Sequence, residues 1–357
     1  MCKTVIFKRG SYEKLRPPLK KTRVEVQIEI LKLGQINEVE GSFKCKFDII
    51  LKWIDSRLQF MFIHGYNSVL YRKSSEELWL PGLYIVDTIG APNDLISKYQ
   101  VRVKHEGPPQ KSNRRNLHEA LVYEGNENPL VFSEILDESL SCDFELTYYP
   151  FDTQTCSVIL RVPILKRSVI DLIPGKCEAL EKITLSQYNI LGMENRVGGR
   201  HNDTLACDIT LKRNPAFHIV ATYLPTLTLM ITALATLFID EGHVEATIMV
   251  AMTSMLVMFT LHQNVQSKVP YTAYLKFVDY WLIYGTILPF IVFIVEVAWE
   301  LGLGDKQTEN KVRRISLRVE EKPKKNLFKV IPKYGLPVIT FGFVTAYTTI
   351  ALYIQLQ

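Results

Sequence analysis

Two cysteines, Cys142 and Cys156, close the stretch "CDFELTYYPFDTQTC" around Pro150, Phe151 and Asp152. In an oxidising compartment such a pair forms a disulfide, and a closed loop of about fifteen residues stabilises a fold by roughly 3 kcal/mol through the unfolded state. A loop closed in this way stays ordered over little core, Pro150 stiffens its tip and Asp152 places a charge there. The chemistry is mechanical and electrostatic. The chain contains no HExxH, no paired CxxC and no glycine-rich phosphate loop opening a helix, and its seven histidines are scattered. No catalytic residues, no metal site and no cofactor are expected.

The elements that must carry the loop divide the chain. Of 357 residues, 47% are hydrophobic and 22% charged, but most of the charge lies in the first 216. Phe217 to Ile239 and Ala246 to Ser267 contain no Asp, Glu, Lys or Arg, and each is long enough to cross a hydrocarbon core of about 30 Å as a helix. Tyr280 to Val295, extended to Trp299, and Tyr334 to Gln357 make four spans. The linker Gly302 to Lys333 holds ten Lys and Arg against four acids, which keeps it cytoplasmic. With four spans, the N-terminal region and the C-terminus are then both extracellular, and the expected place is the plasma membrane. The start "MCKTVIFKRG" has no apolar stretch suited to a secretory signal, so a leader is expected to have been removed or trimmed. The net charge of +5 comes from the linker and implies no nucleic-acid partner.

Before the first span the sequence alternates as strands do, at 24 to 31, 44 to 53, 142 to 149, 156 to 162 and 205 to 211, with turn residues at Gly41, Gly65, Gly107, Gly125 and Gly198-Gly199. This predicts an antiparallel, immunoglobulin-like β-sandwich followed by a four-helix membrane bundle, a β + α membrane protein. A short helix is expected from Ser11 to Pro17 and a long surface excursion from Ser97 to Asn116. The domains are then 1–212, a ligand-binding sandwich; 213–300, three spans; 301–333, the linker; and 334–357, the last span. Pairing of Cys2, Cys45, Cys177 and Cys207 cannot be read.

Together with "WIDSRL" at 53 to 58, "LWLPG" at 78 to 82 and "RNPAFHIVATYLP" at 213 to 225, the cysteine loop resembles the signature of the Cys-loop pentameric ligand-gated ion channels, across nearly the whole chain. The resemblance implies a homopentamer, opened by an extracellular small ligand of unknown identity at the subunit interface. It pairs Asp152 with Arg213 where the extracellular and membrane domains meet. As an ordinary surface ion pair, that contact would contribute only about 0–1 kcal/mol. Trp53, Asp55 and Arg57 match residues that hold the sandwich together.

The resemblance implies that the second span lines the pore, five copies around an axis. Counting from Pro225 places Glu245 where cation-conducting relatives carry a glutamate ring. "DEGHVEA" offers Asp240, Glu241 and Glu245 and no base, so monovalent cations are the expected permeant ions. The acids could instead merely favour a helix start. From Glu245, helical spacing aligns Ile248, Met252, Met255, Phe259 and His262, an apolar barrel able to gate by dewetting. Counting back from "KVPY" turns Thr247, Ala251 and Ser254 inward instead.

At the ligand site the sequence departs from nicotinic-type members. The positions matching their aromatic box are Asp48, Val86, Pro163 and Ala206, and acetylcholine-like agonists are not expected. Tyr84, Tyr123, Tyr188 and His201 lie near those positions and are the candidate ligand contacts, although tyrosines in a sandwich commonly just pack. "NDT" at 202 to 204 is an N-glycosylation triplet on the same hairpin. The rival readings are an anion-selective or non-conducting subunit of this family, and a membrane-tethered β-sandwich binding protein without a pore.

Overall fold

The computed structural model describes residues 5–8, 12–61, 63, 67–69, 77–89, 100–111, 121–199, 202–239, 243–301 and 327–356. Its strands are β1 (Val5–Lys8), β2 (Thr22–Asn37), β3 (Ser42–Trp53), β4 (Leu58–Met61), β5 (Asn67–Val69), β6 (Tyr84–Ile85), β7 (Gln100–Lys104), β8 (Gln110–Lys111), β9 (Leu121–Glu124), β10 (Leu130–Ser141), β11 (Thr153–Arg161), β12 (Ile170–Ala179), β13 (Tyr188–Gly198) and β14 (Thr204–Arg213). They form sheets ordered β12-β2-β3-β10-β7-β5, β13-β14-β11-β6 and β1-β4-β9-β8.

Period-two alternation decides which side chains go inside. Val24, Val26, Ile28 and Ile30 of β2, with Phe47, Ile49, Leu51 and Trp53 of β3, meet Val158 and Leu160 of β11 and Leu205, Ile209 and Leu211 of β14 in one core. The β2–β3 hairpin turns at Gly41, whose φ is +60°, a conformation costly for a residue with a Cβ. Gly125 serves close approach instead. A Cβ there would lie 2.2 Å from the Asp55 carbonyl oxygen and 2.8 Å from that of Leu58. The expected antiparallel arrangement has one exception, since β12 runs parallel to β2, with a register shift between Pro174 and Cys177.

A second disulfide, Cys177–Cys207, ties β12 to β14 and so staples two sheets. Cys45 is a free thiol in the core. Neither assignment was readable from six cysteines in a row of letters, and Cys2 lies outside the described residues.

Three local expectations fail for identifiable reasons. Residues 12–17 form turn and coil rather than a helix, because the Arg57 guanidinium donates to the carbonyls of Arg16 at 2.8 Å and Glu13 at 3.4 Å, acceptors that a helix would use internally. Residues 142–149 form no strand. Their backbone groups bond to the segment preceding and opening the third helix: Leu146 N–H donates to the Tyr274 hydroxyl at 3.1 Å, and Phe277 and Val278 N–H donate to the carbonyls of Thr147 and Tyr149 at 2.8 and 3.2 Å. The excursion from Ser97 to Asn116 contains β7 and β8, paired with β10 and β9; its residues 97–99 and 112–116 lie outside the described set.

Among the described residues, four helices are long and apolar enough to cross a membrane: α1 (Ala216–Thr236), α2 (Val244–Gln266), α3 (Phe277–Glu300) and α4, which runs from Leu327 to Leu356 and so begins before the expected Tyr334. A π-helical turn, Ile219–Tyr223, interrupts α1 just ahead of Pro225, whose ring and missing N–H do not fit an α-helical ladder. Contacts divide the chain into two units, 1–144 with 154–211, and 145–153 with 212–357. The tip of the cysteine loop therefore belongs with the helices, which no division into consecutive segments provides. The charged linker 302–326 lies outside the described residues.

Candidate functional site

Cys142 and Cys156 are joined, with Cα atoms 5.2 Å apart. From that tie the chain runs out to a tip at Tyr149, cis-Pro150, Phe151 and Asp152, packed within the helical unit. Phe151 lies edge-on to Phe277 of α3, with centroids 6.0 Å apart, and 6.2 Å from the Tyr223 ring of α1. Asp152 meets Arg213, the last residue of β14, through two parallel bonds: Nε to Oδ1 at 2.7 Å and Nη2 to Oδ2 at 3.0 Å. The Arg213 N–H also donates to the Asp152 carbonyl at 3.2 Å.

Side-chain exposures of 1% and 2% exclude the surface ion pair of negligible worth. Two charges taken out of water are held only because the fork geometry is bidentate and other groups support it. The Arg213 guanidinium lies over the Tyr149 ring, 4.7 Å from its centroid. The Tyr149 hydroxyl reaches His218 Nδ1 at 3.3 Å, with the two rings edge to face at 5.1 Å. Asp152, Arg213, Tyr149 and His218 thus form a continuous relay. Only its first two members are evident from the sequence.

In α2 the buried stripe is Thr247, Ala251, Ser254 and Met258, and the Met258 methyl fills the space that a Cβ at Gly285 of α3 would take. These residues pack inside one protomer, so the register that turned Thr247, Ala251 and Ser254 toward a pore does not hold. The opposite face carries Glu245, Met249, Met252, Leu256 and Thr260, all exposed, with Met249 and Leu256 at 62% and 63%. Of the residues expected to line a pore, Glu245, Met252 and Phe259 are exposed, Met255 less so at 37%, and Ile248 half-buried. The outward face is therefore turned by less than one residue step from the expected one. Asp240 and Glu241 lie outside the described residues.

The C-terminal end of α2 is held by a group that the sequence reading missed. Asp279, in the first turn of α3, accepts from Gln266 Nε2 at 3.0 Å and from the Lys276 N–H at 2.9 Å. Lys276, three residues ahead of an acid at a helix start, was the available signal.

The candidate tyrosines each have packing or hydrogen-bond partners within the sandwich. Tyr123 is buried edge-on against His105 at 5.0 Å, Tyr188 is 3% exposed and donates to Glu38 Oε1 at 2.8 Å, and half-buried Tyr84 pairs through β6 with Arg161 of β11. His201 lies outside the described residues. Among the box-matching positions, Asp48 accepts from the Ser133 hydroxyl at 2.9 Å. A charged pair missed by the sequence reading lies in the β13–β14 hairpin. Arg196 Nε donates to Asp208 Oδ2 at 2.8 Å and the Ser157 hydroxyl to Oδ1 at 2.5 Å. Burial alone would raise the Asp208 carboxyl, but these two donors hold it below the usual range.

The family model for the neurotransmitter-gated ion-channel ligand binding domain matches residues 4–119. A gamma-aminobutyric acid receptor subunit beta-like protein of Drosophila melanogaster is 22% identical over 312 residues, 82% of this chain and 59% of its own length. The glutamate-gated chloride channel subunit beta of Haemonchus contortus is 23% identical over 297 residues, 76% of this chain and 63% of its own. The gamma-aminobutyric acid receptor subunit beta-4 of Gallus gallus is 23% identical over 349 residues, 92% of this chain and 66% of its own. The chain spans about three fifths of the length of the curated relatives that it matches. These similarities accompany a disulfide-closed loop, a β-sandwich and four membrane-capable helices, and by them the chain is similar to subunits of the Cys-loop ligand-gated ion channels, a family of membrane receptors that are not enzymes.

Proposed function

We propose that the chain is one subunit of a pentameric channel in which an extracellular small ligand shifts a closed–open equilibrium and α2 lines the pore. The observation that carries this reading is the helix α2 itself: one stripe is packed against its own protomer, while the opposite stripe, Glu245, Met249, Met252, Leu256 and Thr260, is exposed along the whole span. Five copies of that stripe around an axis would make an apolar constriction able to gate by dewetting. The loop tip, with Pro150, Phe151, Asp152 and Arg213, would transmit the movement of the ligand-binding domain to the helices. Binding biases such a gate only through its difference in affinity for the two states.

For the permeant ion, the relatives favour an anion, since two of them are named as glutamate-gated chloride channels, and chloride is the first reading here. Cation selectivity, the expectation from Glu245, is not supported by the names of these relatives. It stays as a second reading on one specific observation, the exposed carboxylate of Glu245 in the first turn of α2, since five of these at a pore mouth would repel anions. The relatives' names also point to an amino-acid agonist, which agrees with a site whose box positions carry no aromatic ring.

Expression in oocytes with gamma-aminobutyric acid, glutamate, amines, protons and divalent ions tests the proposal. Replacing external chloride should move the reversal potential of an evoked current, and replacing sodium should not; the opposite pattern restores the cation reading. A single-copy particle in mild detergent overturns the pore and favours a tethered binding protein. Silence of a pentameric particle that conducts only with a second subunit identifies a non-conducting partner.

A further inference from the structure

The triplet Asn202-Asp203-Thr204 is the chain's one Asn-x-Ser/Thr sequence, and the structure places it at the turn from β13 into β14. Asn202 is exposed, with φ +53°, and this left-handed position turns the side chain out of the strand it precedes. Its backbone is fixed, because the Asn202 carbonyl accepts from Leu172 N–H at 3.2 Å and the Asp203 carbonyl from Val162 N–H at 2.8 Å. The middle residue is fixed too: Asp203 is 6% exposed and its carboxylate lies 2.7 Å from Arg167 Nε. Among the described residues, the side-chain amide of Asn202 is by contrast held by a long bond of 3.4 Å to Asp171 Oδ1, an oxygen already 3.0 Å from Lys21 Nζ.

We propose that Asn202 Nδ2 carries an N-linked oligosaccharide. The amide nitrogen forms a glycosidic bond to the first N-acetylhexosamine of a lipid-diphosphate-linked oligosaccharide donor, losing one proton, and the lipid diphosphate leaves. Transfer takes place on the chain during export, so what matters for the folded protein is whether the modified side chain has somewhere to go. A buried asparagine would block folding once modified. Here, among the described residues, the contact with Asp171 is given up, and Asp171 keeps Lys21. The inference rests on the extracellular placement of the sandwich.

The full chain, expressed in a eukaryotic cell, is digested with peptide N-glycosidase F and run beside untreated protein. A mobility shift of one glycan is expected, with conversion of Asn202 to Asp in the released peptide by mass spectrometry. T204A should abolish the shift and T204S, which keeps an acceptor triplet, should retain it, so the pair controls for misfolding at Asn202 itself. A chain that has formed Cys142–Cys156, and has therefore been exported, but shows no shift overturns the proposal alone. A chain that never forms that disulfide and stays on the cytosolic side overturns the topology and the proposal together.

Discussion

Two aspartate–arginine pairs in this molecule are built alike and do different work. Asp55 and Arg57 are two residues apart, bond through Nε–Oδ1 at 2.9 Å and Nη2–Oδ2 at 2.7 Å, and lie beside Tyr12, whose ring is 4.5 Å from the guanidinium. Asp152 and Arg213 repeat that geometry, with Tyr149 in place of Tyr12. The first pair is closed by the local chain, and its arginine remains 20% exposed. The second is brought together across a separation of 61 residues and is shut off from water on both sides. The same chemistry is thus a brace inside a sandwich in one place, and in the other a contact whose existence depends on the loop and the strand end arriving together.

The difference can be broken or sharpened by substitution, each change read as the melting temperature of the detergent-solubilised protein. Arg213→Ala should have the largest effect, a loss of about 3–5 kcal/mol, because it leaves a buried carboxylate without its counter-charge. Surface delivery should fall with it, and Arg213→Lys should restore only part, lacking the fork. Replacing Cys142 and Cys156 by Ser should cost about 3 kcal/mol by releasing the loop that delivers Asp152. A melting temperature unchanged by that double replacement would mean that the packing of Phe151 holds the loop unaided. Arg57→Gln should cost less, about 2 kcal/mol, since its site is partly wet and a donor remains. If it matches Arg213→Ala, sequence separation does not distinguish the two pairs.

The smallest effect, about 1 kcal/mol near neutral pH, is expected for Tyr12→Phe. That substitution carries a pH signature as well. Burial, opposed by the hydrogen bond from the Trp79 N–H and reinforced by Asp55, pushes the Tyr12 phenol from 10.0 to about 12. A folded-state value above the unfolded one means that the stabilisation is complete below about pH 10 and is lost as pH rises toward about 12. The Cys45 thiol, raised by burial from 9.0 to about 12, adds to the same alkaline fall. Melting scans from pH 8 to 12 should therefore drop less steeply, but still drop, in Tyr12→Phe; an unchanged slope would mean that the Tyr12 phenol does not titrate in this window.

Much of this was written in one dimension. The four uncharged tracts are nearly the helices found, since about twenty apolar residues must be helical to satisfy their backbone in a bilayer. The strands at 24 to 31 and 44 to 53 fell inside β2 and β3 because period-two alternation survives any packing with one buried face. The strands β10, β12 and β13 went unread, being half-buried with broken alternation, Leu130-Val131-Phe132 followed by Ser133-Glu134-Ile135. The loop 142–149 misled for the opposite reason, carrying a strand-like pattern whose partners turned out to be the segment before and at the start of α3.

What the sequence determined alone, then, is the inventory: a cysteine-closed loop, a sandwich, four membrane-capable helices, and the residues Asp152 and Arg213. Those features are local, fixed by composition and by periodicities of two and 3.6 residues. Tertiary structure alone decided that Cys177 pairs with Cys207, that the loop tip belongs with the helices, that Tyr123 and Tyr188 are packed rather than presented, and which stripe of α2 faces outward. Each of these depends on which distant segment arrives beside which, and on how much water is left between them, quantities that no local pattern encodes.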